Sequence, residues 1–202
     1  MSKTQKIFLT LILVLAVFFR YYRIEEMPGG LFPDEAANGL DVNLMQQGHL
    51  QPFYERGNGR EALFFYMEWA SVSAFGKSPW ALHSVSAAVG VLSVLVCFLL
   101  TRRLFLLDVQ TYDSTFPPDA EFLRRQKNRA VNIALLAAFL LAASSWHVVL
   151  SRTAFRAILI PLFTGLVFYW LLCAYQASNL RRRLVFSFLA GAAFALGFYT
   201  YI

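Results

Sequence analysis

Charge is scarce in this chain. Asp, Glu, Lys and Arg make up 15% of its 202 residues, against about a quarter in soluble domains, too little to clothe a water-facing surface. Cysteine is down to Cys97 and Cys173, each inside an apolar run, which excludes a disulfide framework or a thiolate metal site and leaves them as small packing residues. His49 and His147 lack any partner at a spacing such as His-x-x-x-His, so spacing assigns no metal ligands. No Gly-x-x-x-x-Gly-Lys phosphate loop and no Gly-x-Ser-x-Gly elbow occurs, so nucleotide-powered transport finds no support.

Apolar length takes the place of these features. Hydrophobic residues reach 58%, aromatics 16%, and mean hydropathy is +0.52, values that belong to polytopic membrane proteins. Several runs approach the roughly 20 residues that cross a bilayer core, and none alternates as barrel strands do. The expected fold is all-α, a polytopic membrane helix bundle. Spans are expected at about 7–24, 80–101, 130–150, 155–176 and 184–202. A long loop with juxtamembrane helices fills 25–79, and a second polar loop fills 102–129. The first span resembles the apolar region of a signal peptide, but Arg20-Tyr21-Tyr22-Arg23 stands where small residues would mark cleavage. It reads as an uncleaved helix, its Tyr at interfacial depth and its Arg snorkelling.

Residues 62–75 are apolar but short and interrupted by Glu68, so this segment reads as interfacial or re-entrant, with Glu68 facing water. With it not spanning, Lys3, Lys6, Arg102, Arg103, Arg124, Arg125, Lys127, Arg129 and Arg181 to Arg183 share one side. The other side holds Arg20, Arg23, Arg56, Arg60, Lys77, Arg152 and Arg156. That excess places the N-terminus in the cytoplasm and loop 25–79 outside, in a multi-pass protein of the plasma (inner) membrane. The net charge of +6 is therefore orientation, and no nucleic-acid partner is implied.

The chemistry gathers in loop 25–79. Gly29-Gly30-Leu31-Phe32-Pro33-Asp34-Glu35-Ala36 delivers two adjacent carboxylates to the membrane surface, and Gly57-Asn58-Gly59-Arg60 precedes a third, Glu61. Ala37, Leu40 and Leu44 then recur at helical spacing while Asn38, Asp41, Asn43, Gln46 and Gln47 face elsewhere, describing an amphipathic helix on the membrane. Asp34 suits a general base, and equally the N-cap of that helix, with Glu35 favouring the helix dipole. Glu61 suits a site carboxylate or a charge at the start of the next helix. Arg60, Arg152 and Arg156 suit a phosphate or, as end-of-span residues, headgroup anchoring. His147 is counted with them as a substrate contact, an interfacial hydrogen-bonding role being the alternative. Phe64, Phe65, Tyr66 and Trp69 read as packing or interface residues, with a prenyl-chain groove as the lesser reading.

Arg20-x-x-Arg23, then Pro28-Gly29-Gly30-Leu31-Phe32-Pro33-Asp34-Glu35-Ala36-x-x-Gly39, then Gly59-Arg60-Glu61-Ala62-Leu63-Phe64-Phe65-Tyr66 resembles the start of a C-type (GT-C) glycosyltransferase. By pattern it is similar to the protein O-mannosyltransferases and the lipid A aminoarabinose transferases. The stretch from Ser145-Trp146-His147 to Phe155-Arg156 resembles the short external turn between their third and fourth helices. Relatives often carry Pro after the Arg-Glu pair, where Ala62-Leu63 stands here. The resemblance implies that residues 1–202 form the N-terminal part of a GT-C transmembrane domain. Such a protein moves a sugar from a polyprenyl-phosphate donor to a protein, lipid or glycan acceptor outside the cytoplasm. Asp34 would be the base, with Glu35 beside it and Glu61 as a second site carboxylate. Divalent-ion dependence occurs among such enzymes, so a divalent metal ion is the one cofactor it allows; no ligand is assigned. The chain stops at Phe198-Tyr199-Thr200-Tyr201-Ile202 without a flank, as a cut protein would. A non-catalytic membrane subunit with a transferase-like front end is therefore the alternative. A secondary transporter is the third reading, and it expects acids near the bilayer midplane.

Overall fold

The computed structural model describes residues 1–56, 59–110 and 119–200. Ser2 opens the first helix, α1 (Lys3–Tyr21): Gln5 N–H donates to Ser2 Oγ at 3.1 Å and Ser2 N–H to Gln5 Oε1 at 2.9 Å, a reciprocal cap at a helix end. The loop after it carries α2 (Pro33–Gln46), a two-residue ladder of β1 (Phe53–Tyr54) with β2 (Arg60–Glu61), and α3 (Leu63–Phe75). Then come α4 (Pro79–Gln110), α5 (Ala120–Ala143), α6 (Ser145–Arg152), a 3-10 turn (Arg156–Ile158), α7 (Leu159–Tyr175) and α8 (Leu180–Phe198).

Among the described residues three helices are long and apolar enough to cross a membrane: Lys3–Tyr21, Pro79–Leu107 and Arg156–Tyr175. A fourth crossing arises if α5 and α6, bent by 56° at their junction, count as one span. The run 130–150 expected as a straight span is thus broken at Ser144. The 184–202 run corresponds to α8, which opens on Arg181, Arg182 and Arg183 and is not among those helices; positions 201 and 202 lie outside the described residues. Helix continues to Gln110 and resumes at Ala120, so most of the polar loop expected at 102–129 is helical, and 111–118 lie outside the described residues. Segment 62–75 is one 13-residue helix, about 20 Å long and short of a bilayer core.

The long α4 is the mast of the bundle, touching α1, α3, α5, α6 and α7, while α8 packs on α7. Successive long helices run in opposite senses, so the ends of α1, α5 and α8 and the starts of α4 and α7 gather around the α2–α3 loop. Tyr21 Oη donates to Ser84 O (3.0 Å), Asn38 to Ala154 O (2.9 Å), and Tyr199 Oη to Pro52 O. Small residues let the helices approach: Ala16, Ala134, Ala138 and Ala142 are sealed beside Val94 and Phe98. Gly90 is the tightest of these contacts, since a methyl there would meet Ser151 and, at 2.8 Å, Arg20 Nε.

A second apolar cluster seats the loop. Phe64 and Phe65 of α3 are fully buried among Val42, Met45, Val85, Val89, Ile158 and Leu159, with Tyr54 edge-on to Phe65 at 5.6 Å. Truncating either Phe to Ala costs about 3–5 kcal/mol at such sites. These two rings are packing residues, as their pattern indicated.

Candidate active site

The site is built on the inward face of α2. Pro33 occupies the first turn and Phe32 is the N-cap residue. Phe32 N–H donates to Glu35 Oε2 at 2.7 Å, the acidic half of a capping box. The expected N-cap, Asp34, lies inside the first turn instead, because Pro33 fixes the helical φ one residue earlier. Its side chain is exposed and accepts no hydrogen bond among the described residues.

Leu40 and Leu44 face outward while Asn38, Asp41, Val42 and Met45 face the bundle, so the buried face mixes polar and apolar residues, whereas the expected division set Ala37, Leu40 and Leu44 apart from the polar ones. The inward polar residues fasten one arginine. Arg60 Nη1 donates to Asn38 Oδ1 (2.6 Å), Nη2 to Asp41 Oδ2 (2.6 Å) and Nε to Arg56 O (2.9 Å), and its guanidinium lies 4.9 Å from the Phe65 ring centre. Arg56 holds the other Asp41 oxygen at 3.0 Å. Burial pushes the Arg60 guanidinium below its ordinary pKa, and Asp41 pulls the other way. Its head is thus held at one place and angle.

Across from α2 lies the turn between α6 and α7. Glu35 is buried, and its Oε1 accepts from Ala154 N–H at 2.7 Å. The same oxygen lies 3.4 Å from His83 Nε2. Burial pushes the Glu35 carboxyl upward, but His83 and the Phe32 and Ala154 amides outweigh it and hold the group below the usual range. Asn38 Nδ2 donates to Ala154 O, so α2 grips both backbone groups of one residue. This grip positions Arg156, whose Nη1 donates to Glu61 Oε2 at 2.7 Å.

These elements enclose a cleft of about 190 Å³ lined by Asp34, Ala37, Asn38, Arg60, Ala154, Phe155 and Arg156. Of the residues singled out from sequence, Asp34, Arg60 and Arg156 line it together. Glu61 lies against Arg156, and Glu35 is the anchor behind the lining. Arg152 and His147 are elsewhere. Arg152 donates to the carbonyls of Phe19, Tyr22, Arg23 and Met27 at 2.7–3.2 Å, which neutralises the end of α1. His147 is buried, with Nδ1 2.8 Å from Arg20 Nη2.

Arg20 does not snorkel. It is fully buried, donating to Ala16 O, Ala142 O and Ser151 Oγ at 3.1–3.3 Å. The break at Ser144 leaves α5 carbonyls unpaired within the bundle, and these acceptors hold the guanidinium in place of water. Glu68, expected to face water, is also fully buried, with neither oxygen hydrogen-bonded. Burial raises its pKa well above the ordinary value, Asn38 and Arg60 acting against the shift.

Sequence reasoning missed Asn38 and Asp41 as the holders of Arg60, and His83 as the partner of Glu35. Asn38 and Asp41 are three apart on a helix whose other face is apolar, and that spacing was the available signal. Among the described residues no group of three His, Cys, Asp or Glu is placed to hold a metal ion. Neither Cys97 nor Cys173 is in a disulfide.

No protein-family model, curated protein or solved structure matches this chain.

Proposed function

We propose that the chain is the donor-side part of an integral-membrane glycosyltransferase of the C type, with Asp34 as general base. The observation that supports this reading is the cleft itself. An exposed carboxylate without a hydrogen-bond partner shares a wall with two arginines, at the end of the bundle opposite the basic clusters. That end is extracytoplasmic in the proposed topology, where a polyprenyl-phosphate sugar would present its headgroup.

The step needs two kinds of help. An acceptor hydroxyl or amine loses its proton to the Asp34 carboxylate as its oxygen or nitrogen bonds to the anomeric carbon. The bond from that carbon to the phosphate oxygen breaks, and its electron pair leaves on the phosphate. Polyprenyl phosphate is already an adequate anion, so no protonating acid is required. Arg60 and Arg156 stabilise the charge that grows there. Arg60 is clamped before substrate arrives, which avoids an ordering cost in the transition state. Glu61 and the departing phosphate compete for Arg156.

The test is transfer from a polyprenyl-phosphate sugar by membranes carrying the full-length gene product or its Asp34→Asn variant. The expected loss is about 10²–10⁴-fold, with stability within about 0.5 kcal/mol because the side chain is exposed. Unaltered transfer by Asp34→Asn removes the base assignment.

A further inference from the structure

A second polar cavity lies at the far end of the bundle, where α4 and α7 finish and α8 begins. It measures about 660 Å³, within the range of small-molecule sites. Its polar wall consists of Arg103, Gln176, Ser178, Asn179, Arg181 and Arg182, and no Asp or Glu lines it. Among the described residues none of the three arginine side chains makes an ion pair or hydrogen bond. Two donors of this wall, Arg103 Nε and Gln176 Nε2, are buried without acceptors, as is Arg102 Nε next to it.

Buried donors without acceptors are an unusual feature of a cavity wall. Each unpaired polar atom carries a desolvation cost of about 1–3 kcal/mol, which an anion held there would remove. The neighbouring Arg183 shows the contrast: its guanidinium donates to Ala177 O at 3.2 Å and so holds the turn between α7 and α8. Arg181 and Arg182 have no such task.

The other wall fixes the kind of anion. Val185 and Phe186 line the same cavity one turn along α8, and Leu180 and Leu184 beside them are exposed. Cations at the helix end above an apolar wall match a phosphate headgroup with its acyl chains running beside α8. We infer that this cavity binds the phosphate of an anionic membrane phospholipid, independently of the transferase reading.

The experiment reconstitutes the full chain in nanodiscs of phosphatidylcholine with a minor share of phosphatidylglycerol, and native mass spectrometry counts the lipid retained. The chain is expected to retain phosphatidylglycerol preferentially. The Arg181→Gln/Arg182→Gln variant, altered only at exposed positions, is expected to weaken that retention about 25-fold, about fivefold for each arginine. Arg103→Gln is expected to weaken it from the buried side. Full retention by the Arg181→Gln/Arg182→Gln variant overturns the site. An equal loss in an Arg124→Gln/Arg125→Gln control overturns it too, since binding would then follow diffuse surface charge. Saturable binding of inorganic phosphate without preference for phosphatidylglycerol overturns the lipid assignment in favour of a free anion.

Discussion

Replacing Asp41 with Asn probes the part of the site that the fold invests in most. The Asp41 side chain is 3% exposed and the Arg60 side chain 7%, while Arg56, which shares the same carboxylate, is 44% exposed. Two pairs with one common acid should therefore differ greatly. Breaking the buried pair leaves a desolvated guanidinium without a counter-charge, a loss of about 3–5 kcal/mol. Breaking the exposed pair by Arg56→Gln should cost under about 1 kcal/mol once solvent screening is counted. Asp41→Asn/Arg60→Met removes both buried charges and should recover part of the loss, because no charge is then left buried without its partner. Unfolding in mixed micelles, followed by tryptophan fluorescence, gives the three differences, and adding Arg60→Met alone closes the cycle that isolates the Asp41–Arg60 coupling. If Asp41→Asn costs no more than Arg56→Gln, the buried clamp is not a stabilising feature and its account here fails. Recovery by the double variant with transfer still absent would separate the two roles of Arg60, holding α2 and facing the donor.

Glu68→Gln should raise stability at pH 7, since Gln takes up no proton on folding whereas a carboxyl with a raised folded pKa does. The raised pKa makes the native state the better proton binder, so the Glu68 contribution is complete below the ordinary carboxylate value of about 4.3 and declines as pH climbs toward the folded value. Unfolding against pH for the chain and Glu68→Gln should diverge in that direction, and a large loss at pH 7 would show an ionised Glu68. Glu35→Gln should cost about 1–3 kcal/mol by leaving the Ala154 or Phe32 amide without its acceptor. The Glu35 shift is downward, so its contribution is present above the ordinary carboxylate range and is lost as pH falls through the folded value, a slope that Glu35→Gln should flatten. Gly90→Ala should cost about 1–3 kcal/mol by pushing Ser151 and Arg20 from their packed positions, and Gly90→Ser should do no better in the same unfolding assay.

The mostly helical architecture, the short α3 and the buried aromatic pair Phe64 and Phe65 were legible in the residues. Each follows from local apolar length or from a pattern within one helix. The broken span at Ser144 was not read from the sequence, for 130–150 is apolar over most of its length and carries no Pro or Gly, and the Ser144-Ser145 pair was its one local sign. The break is stabilised by Arg20, more than 120 residues earlier, which takes the carbonyls that the bend exposes. Asp34, Arg60 and Arg156 could be named as candidates because acids and bases in an apolar chain stand out. That they share a wall while Arg152 and His147 do not was beyond any spacing rule.

Sequence alone determined that the chain is a bundle of apolar helices with its basic residues weighted to one end, because hydropathy and charge are sums over local segments that no tertiary contact can alter. Tertiary structure decided which polar residues are partners. The buried charges of Arg20, Glu35, Asp41 and Arg60 are tolerable only beside specific donors and acceptors on other elements, and those elements meet only once α2, α3 and the α6–α7 turn close on α4.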